Sequence, residues 1–221
     1  MPPPSGRRIR AAIFDLDGLL LDTEPLYLEA TTEVLARYGR TLERDVLRRY
    51  IGIPSVETMQ RLADHYGVAV PGAALNEERH AILDRLLPTA GPRPGARELT
   101  DALQAAGVPI GVGTSSTLDT LALKLEPHRE WFAGFDCIVT SDDVPRGKPH
   151  PDIFIRAAEL LGQPPASCLV FEDARSGIEA ARAAGMAVVM VPTEGVDTRG
   201  LDVDELLGSL TEFDPGRWGL L

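Results

Sequence analysis

Short apolar runs, several of them rich in β-branched residues, alternate with helical periods along this chain, and that alternation leaves few folds open. The runs are Ile9–Phe14, Val108–Gly113, Phe135–Thr140, Cys168–Phe171 and Ala187–Val191. Each is short and nearly continuous in apolar residues, as expected of a strand covered on both faces. Between them, Leu99, Ala102, Leu103 and Ala106 repeat at helical spacing, with Gly107 as a stop. Phe154, Ala157, Ala158 and Leu161 repeat it between Pro151 and Gly162, and Ile178, Ala181 and Ala184 form a small-residue face stopped by Gly185. Strands and helices that alternate at these lengths predict an α/β fold: a Rossmann-like, doubly wound parallel sheet.

Residues 20–90 break the alternation. Tyr27, Ala30, Thr31, Val34, Leu35 and Tyr38 lie on one helical face that ends at Gly39, with Pro25 in the first turn. Leu42–Tyr50 reads as a second helix. Ser55 suits the cap of a third, with Val56, Met59, Ala63 and Tyr66 facing inward. Ala74–Leu87 is a fourth, closed by Pro88. The expectation is a core domain of residues 1–20 and 91–221 carrying an inserted α-helical cap at 21–90, with Arg93-Pro94-Gly95 marking the return. The loop from Ile51 to Ser55 is a candidate for setting specificity. The acidic tail after Pro192 shows no pattern and is assigned no role.

A formal charge of -11 argues against nucleic acid polymers as partners. No apolar run approaches the ~18 residues of a membrane span. Met1–Arg10 lacks the apolar stretch of a secretory leader. Cys137 and Cys168 sit in apolar, strand-like runs and read as core thiols of a reducing compartment. A cytoplasmic protein is expected, monomeric although an oligomer stays open. Among 22 basic residues only Lys124 and Lys148 are lysines, so a lysine in a suggestive place carries weight.

The ends of the predicted strands carry the chemistry. Asp15-Leu16-Asp17-Gly18 follows the first strand, and two carboxylates there can look into one cleft. One can attack an electrophile while the other moves protons, and a divalent cation would relieve their repulsion. Thr114, Ser115 and Ser116 follow the second strand and offer hydroxyls and N–H groups ahead of a helix, an arrangement that suits phosphate. Lys148 precedes the Pro151 helix as a mobile point charge. Glu172 and Asp173 close the fourth strand and complete an all-oxygen set of the kind Mg²⁺ prefers. Each cluster alone has an ordinary explanation in a cap or a solvated loop. Together, each at a strand end, they mark one functional site rather than an accident of composition.

The set Asp-x-Asp-Gly, strand-terminal Thr114, Gly147-Lys148-Pro149 and Phe171-Glu172-Asp173-Ala174 resembles the haloacid dehalogenase superfamily of phosphohydrolases over nearly the whole chain. Ile13 to Glu24, Gly147 to Phe154 and Val170 to Ala174 bring it nearest the branch of pseudouridine-5'-phosphatases and related sugar phosphatases. The resemblance implies a Mg²⁺-dependent phosphomonoester phosphatase acting on a small phosphorylated metabolite. Asp15 would be the nucleophile, forming an aspartyl-phosphate. Asp17 would protonate the leaving alcohol and then activate water. Thr114 and Lys148 would hold the transferring phosphoryl group, with Gly18 and the N–H groups near Ser115 adding to the cradle. Mg²⁺ would be held by Asp15, the carbonyl of Asp17 and Asp173, with Glu172 acting through water. Glu24 and Tyr27, just beyond, are candidates to touch the leaving group.

Related chemistries fit less well. Dehalogenases attack carbon and do not need the second aspartate. Phosphonoacetaldehyde hydrolases need a cap lysine, and no lysine lies between Leu19 and Pro94. β-Phosphoglucomutases have a cap histidine where this chain has Tyr27, and a cap lysine that is missing. An inactive binding module is disfavoured by the intact Asp15, Asp17, Lys148 and Asp173.

Overall fold

The computed structural model describes residues 6–48, 50, 55–193 and 195–221. The chain divides into two compact units, one of Met1–Asp22 with Gly91–Leu221 and one of Thr23–Ala90.

The first unit is a parallel sheet. Its strands are β1 (Ala11–Phe14), β2 (Ile110–Gly113), β3 (Cys137–Val139), β4 (Cys168–Glu172), β5 (Ala187–Met190) and β6 (Glu205–Leu206), in the order β3-β2-β1-β4-β5-β6. Every pairing is parallel, with Phe14 opposite Val112 on one side and Phe171 on the other. Helices α5 (Ala96–Ala105), α6 (Leu118–Leu125), α7 (Arg129–Phe132), α8 (Asp152–Leu160) and α9 (Arg175–Ala183) connect them. Both faces of β1 are covered, as the unbroken apolar runs require. Ile13 packs with Val139, Phe154, Val170 and Ile178 beneath α8 and α9. Phe14 points the other way and stacks on Phe171 at 4.6 Å, which meets Phe213 edge-on at 4.7 Å. The doubly wound parallel core expected from the sequence is the observed one.

One expectation about this unit is corrected. The tail after Pro192 is part of this unit: it supplies β6 and buries Leu210, Phe213, Trp218 and Leu220. Its apolar residues are spaced irregularly and its strand is two residues long, so neither period was visible. Trp218, like Trp131 and Phe132, is a packing residue.

The second unit is helical: α1 (Glu24–Arg37), α2 (Arg44–Arg48), α3 (Ser55–Tyr66) and α4 (Gly72–Leu86). Pro25 sits in the first turn of α1, where its missing N–H costs nothing. The inner face of α3 is Thr58, Met59, Leu62 and Ala63, while Val56, expected inside, is 47% exposed. Val56 lies in the first turn, ahead of the stripe set by Met59, Leu62 and Ala63 at i, i+3 and i+4. Most of the candidate specificity loop, Ile51 to Pro54, lies outside the described residues. Inside this unit Arg79 is buried, donates to Asn76 Oδ1 at 2.8 Å and lies 5.9 Å from the Tyr27 ring.

Candidate active site

The acidic loop is fixed by its own apolar residues. Leu16, Leu19, Leu20 and Leu21 are all buried, and the N–H groups of Leu20 and Leu21 donate to Leu16 O while Gly18 N–H donates to Leu21 O. Asp15 N–H donates to Phe171 O, extending the β1–β4 ladder to the first carboxylate. The returning chain runs beside this loop: Leu21 bridges Pro92, and Asp22 N–H donates to Gly91 O. The backbone that presents Asp15 and Asp17 is therefore hydrogen-bonded at both ends.

The ends of β1 and β4 and the loop ahead of α8 meet at Asp15. Lys148 Nζ lies 2.5 Å from Asp15 Oδ1 and 2.5 Å from Glu172 Oε1, and 4.8 Å from the Phe154 ring. The other Glu172 oxygen accepts the N–H groups of Asp173 and Ala174, each at 3.0 Å. Asp15, Glu172 and Asp173 are buried and can bring one oxygen apiece within 4.8 Å of one another. Two glycines allow this crowding. A Cβ at Gly18, whose φ is +80°, would collide with the Asp173 carboxylate, and one at Gly177 in α9 would fall on the Glu172 carboxylate.

Burial sets the electrostatics. It drives the Asp15 carboxyl from its ordinary 3.8 up to about 7, against the pull of Lys148 and with help from the charges of Glu172 and Asp17. Burial also pulls on the Lys148 ammonium, but Asp15 and Glu172 outweigh it and hold Lys148 above the usual lysine range. Two of these three buried carboxylates, Asp15 and Glu172, share the Lys148 ammonium. The surplus negative charge and the all-oxygen donor set fit a hard divalent cation. Lys148 engages Oδ1 of Asp15, and Glu172 is committed to protein donors through both oxygens.

The remaining candidates are placed by the elements that carry them. Thr114 is fully buried at the end of β2, and its Oγ1 accepts the Ser116 N–H at 3.1 Å. Ser115 is exposed between them. The amide of Gly18 is occupied by Leu21, so Gly18 supplies close backbone approach rather than an open donor. Glu24 opens α1, in the other unit.

One residue was missed in the sequence. Lys124, on α6, is completely buried, and its ammonium lies 2.6 Å from Asp17 Oδ1, 2.7 Å from Asp17 Oδ2 and 2.7 Å from Ser116 Oγ. The scarcity of lysine that drew attention to Lys148 applied equally to Lys124. Its place three residues after buried Leu121, on the inner face of a helix, was the second signal.

Comparison with known proteins decides the family. The model of the haloacid dehalogenase-like hydrolases matches residues 12–191. The chain belongs to the haloacid dehalogenase-like hydrolases. It is an enzyme of that family, and several of its curated relatives are named phosphatases. It is 39% identical to "(DL)-glycerol-3-phosphatase 1, mitochondrial" of Arabidopsis thaliana, over 96% of this chain and 74% of the relative. It is 37% identical to "Probable pseudouridine-5'-phosphatase" of Drosophila melanogaster, over 97% and 95%. Among solved structures, CbbY of Rhodobacter sphaeroides in complex with phosphate superposes with a TM-score of 0.77 at 28% identity, covering 92% of this chain and 96% of that one. For a hydrolase of this family, the meeting of Asp15, Lys148, Glu172 and Asp173 at the carboxyl ends of the central strands β1 and β4 marks the centre to be explained.

Proposed function

We propose that this protein is a Mg²⁺-dependent phosphomonoester phosphatase of small phosphorylated metabolites, working in the cytoplasm through an aspartyl-phosphate. The observation that carries this reading is the buried contact of Asp15 with Lys148 inside a surplus of negative charge, with Asp17 two residues away. Asp15 attacks phosphorus, the bond from phosphorus to the alcohol oxygen breaks, and Asp17 gives that oxygen a proton. Asp17 then takes a proton from water, whose oxygen attacks phosphorus. The bond to Asp15 breaks, inorganic phosphate leaves, and Asp17 is protonated again. Lys148, the Thr114 hydroxyl and the N–H groups near Ser115 bind the phosphoryl oxygens, where charge grows in the transition state. Mg²⁺, held by Asp15, Asp173 and the carbonyl of Asp17 with Glu172 acting through water, would neutralise charge between nucleophile and phosphate. Gly18 brings the loop backbone close, and Glu24 is a candidate to bind the substrate.

The relatives' names favour pseudouridine 5'-phosphate or a glycerol phosphate as substrate. The test is phosphate release from a panel of these two, hexose phosphates and β-glucose 1-phosphate, with and without Mg²⁺. Mg²⁺-dependent release is expected, fastest for one compound, and Asp15→Asn lowers it by at least about a thousandfold. Isomerisation of β-glucose 1-phosphate without release would replace the phosphatase by a mutase.

A further inference from the structure

Lys124 has no part in the mechanism above, yet a completely buried ammonium is costly unless something demands it. Its partners show what demands it. The ammonium straddles both oxygens of Asp17, at 2.6 and 2.7 Å, and holds Ser116 Oγ at 2.7 Å. Ser116 Oγ in turn donates to Asp17 Oδ2 at 2.9 Å. Ser116 is itself fixed by donating its N–H to Thr114 Oγ1 at 3.1 Å and by accepting the Ser141 N–H at its carbonyl at 3.1 Å. The Asp17 side chain keeps 30% of its surface exposed while Lys124 keeps none. The carboxylate is thus gripped by two buried groups while part of its side-chain surface stays exposed.

We infer that Lys124, with Ser116, is the positioning group of Asp17, fixing its carboxylate as an acceptor for the proton of the attacking water. This rests on the phosphatase reading. A carboxylate gripped by an ammonium and a hydroxyl is fixed in orientation, and taking a proton from an attacking water depends on that orientation. The step that depends most on the grip is therefore breakdown of the aspartyl-phosphate. Its formation on a substrate with a good leaving group needs no proton from Asp17 and escapes.

The test is stopped-flow hydrolysis of p-nitrophenyl phosphate with saturating Mg²⁺ by wild type, Lys124→Met, Ser116→Ala, Asp17→Asn and the double variants. Lys124→Met is expected to release p-nitrophenolate in a burst approaching one per site. Turnover then slows roughly ten- to a hundredfold, with KM for Mg²⁺ unchanged. In the Asp17→Asn background the same substitution is expected to change nothing further, because its target is gone. A role in packing alone would lower both backgrounds equally and give no burst, and that result overturns the inference. So does wild-type turnover in a folded Lys124→Met. Should Lys124→Met fail to fold, Ser116→Ala decides alone: slower turnover only where Asp17 is present supports the inference, and unchanged turnover overturns it. Asp17→Asn separates the two readings. If it turns over like wild type, the phosphatase mechanism fails; if it does not and Lys124→Met does, only the role of Lys124 fails.

Discussion

Asp15 shows how a single carboxyl links the site to the stability of the protein. Its folded value of about 7 lies above the 3.8 it has when solvated, so the folded chain binds this proton more tightly than the unfolded one. The stability this contributes is complete below 3.8 and is lost as pH rises through about 7. Without a divalent cation, the stability of wild type relative to Asp15→Asn is expected to fall between those values and then level off. The ceiling on the fall is roughly 1.4 kcal/mol per pH unit of that window. Urea unfolding in EDTA from pH 4 to 8 measures it. Added Mg²⁺ is expected to recover the loss at pH 8, since a bound cation favours the folded, ionised site. A difference between the two proteins that does not change with pH would mean that Asp15 is not held protonated by its surroundings. At this scale the sequence was easy to read for Asp15, Asp17, Glu172 and Asp173, because each stands at the end of an apolar run that names its strand, and for Lys148, because lysine is scarce and this one precedes the Pro151 helix. Lys124 was hard to read, since it reaches Asp17 from the middle of a helix, 107 residues away along the chain, and no local pattern records that meeting.

Elements decide whether those side chains can meet at all. The α9 helix begins just beyond Glu172, and its residue Gly177 lies where any Cβ would occupy the space of the Glu172 carboxylate. Gly177 sits at an ordinary helical position, so the glycine serves space rather than backbone freedom. Alanine has the higher helix propensity and would stabilise an exposed helix by up to about 1 kcal/mol. Here Gly177→Ala is expected to do the opposite, costing roughly 1–3 kcal/mol of stability, because overpacking against a buried, paired carboxylate strains its contacts with Lys148, Asp173 and Ala174. Thermal unfolding checks the sign, and an increase in Tm would show that Glu172 can move aside. The sequence revealed α9 through Ile178, Ala181 and Ala184, which follow the helical period. It did not reveal Gly177, whose role depends on the strand before it rather than on the helix that contains it. The inner face of α3 was misread at Val56 for a similar reason. An apolar residue in a first turn adds to a stripe on paper while lying outside it in space.

At the scale of the whole molecule, the alternation of strands and helices was enough to predict a parallel doubly wound sheet, because only that arrangement covers both faces of strands so uniformly apolar. It was not enough to show where the sheet ends. The last turns of the chain close one edge: β6 pairs with β5, Phe213 meets Phe171, and Trp218 is 1% exposed with its indole N–H donated to Glu205 Oε2 at 2.7 Å. Glu205 also accepts from Arg217 at 2.7 Å, so one carboxylate of the edge strand is held by two residues of the tail. Phe171 lies in β4, next to Glu172, and it stacks on Phe14, next to Asp15. The tail therefore packs against the aromatic layer that stands directly behind the acidic centre. Trp218→Ala is expected to cost about 3–5 kcal/mol, the usual loss for a large aromatic removed from a core. Trp218→Phe keeps most of the volume but leaves Glu205 with one partner fewer, and is expected to cost less. Urea denaturation of the two variants measures both losses against wild type. A tail that merely decorates the surface would give values within about 0.5 kcal/mol of wild type, and its packing against Phe171 would then carry no weight in holding the strand that presents Glu172.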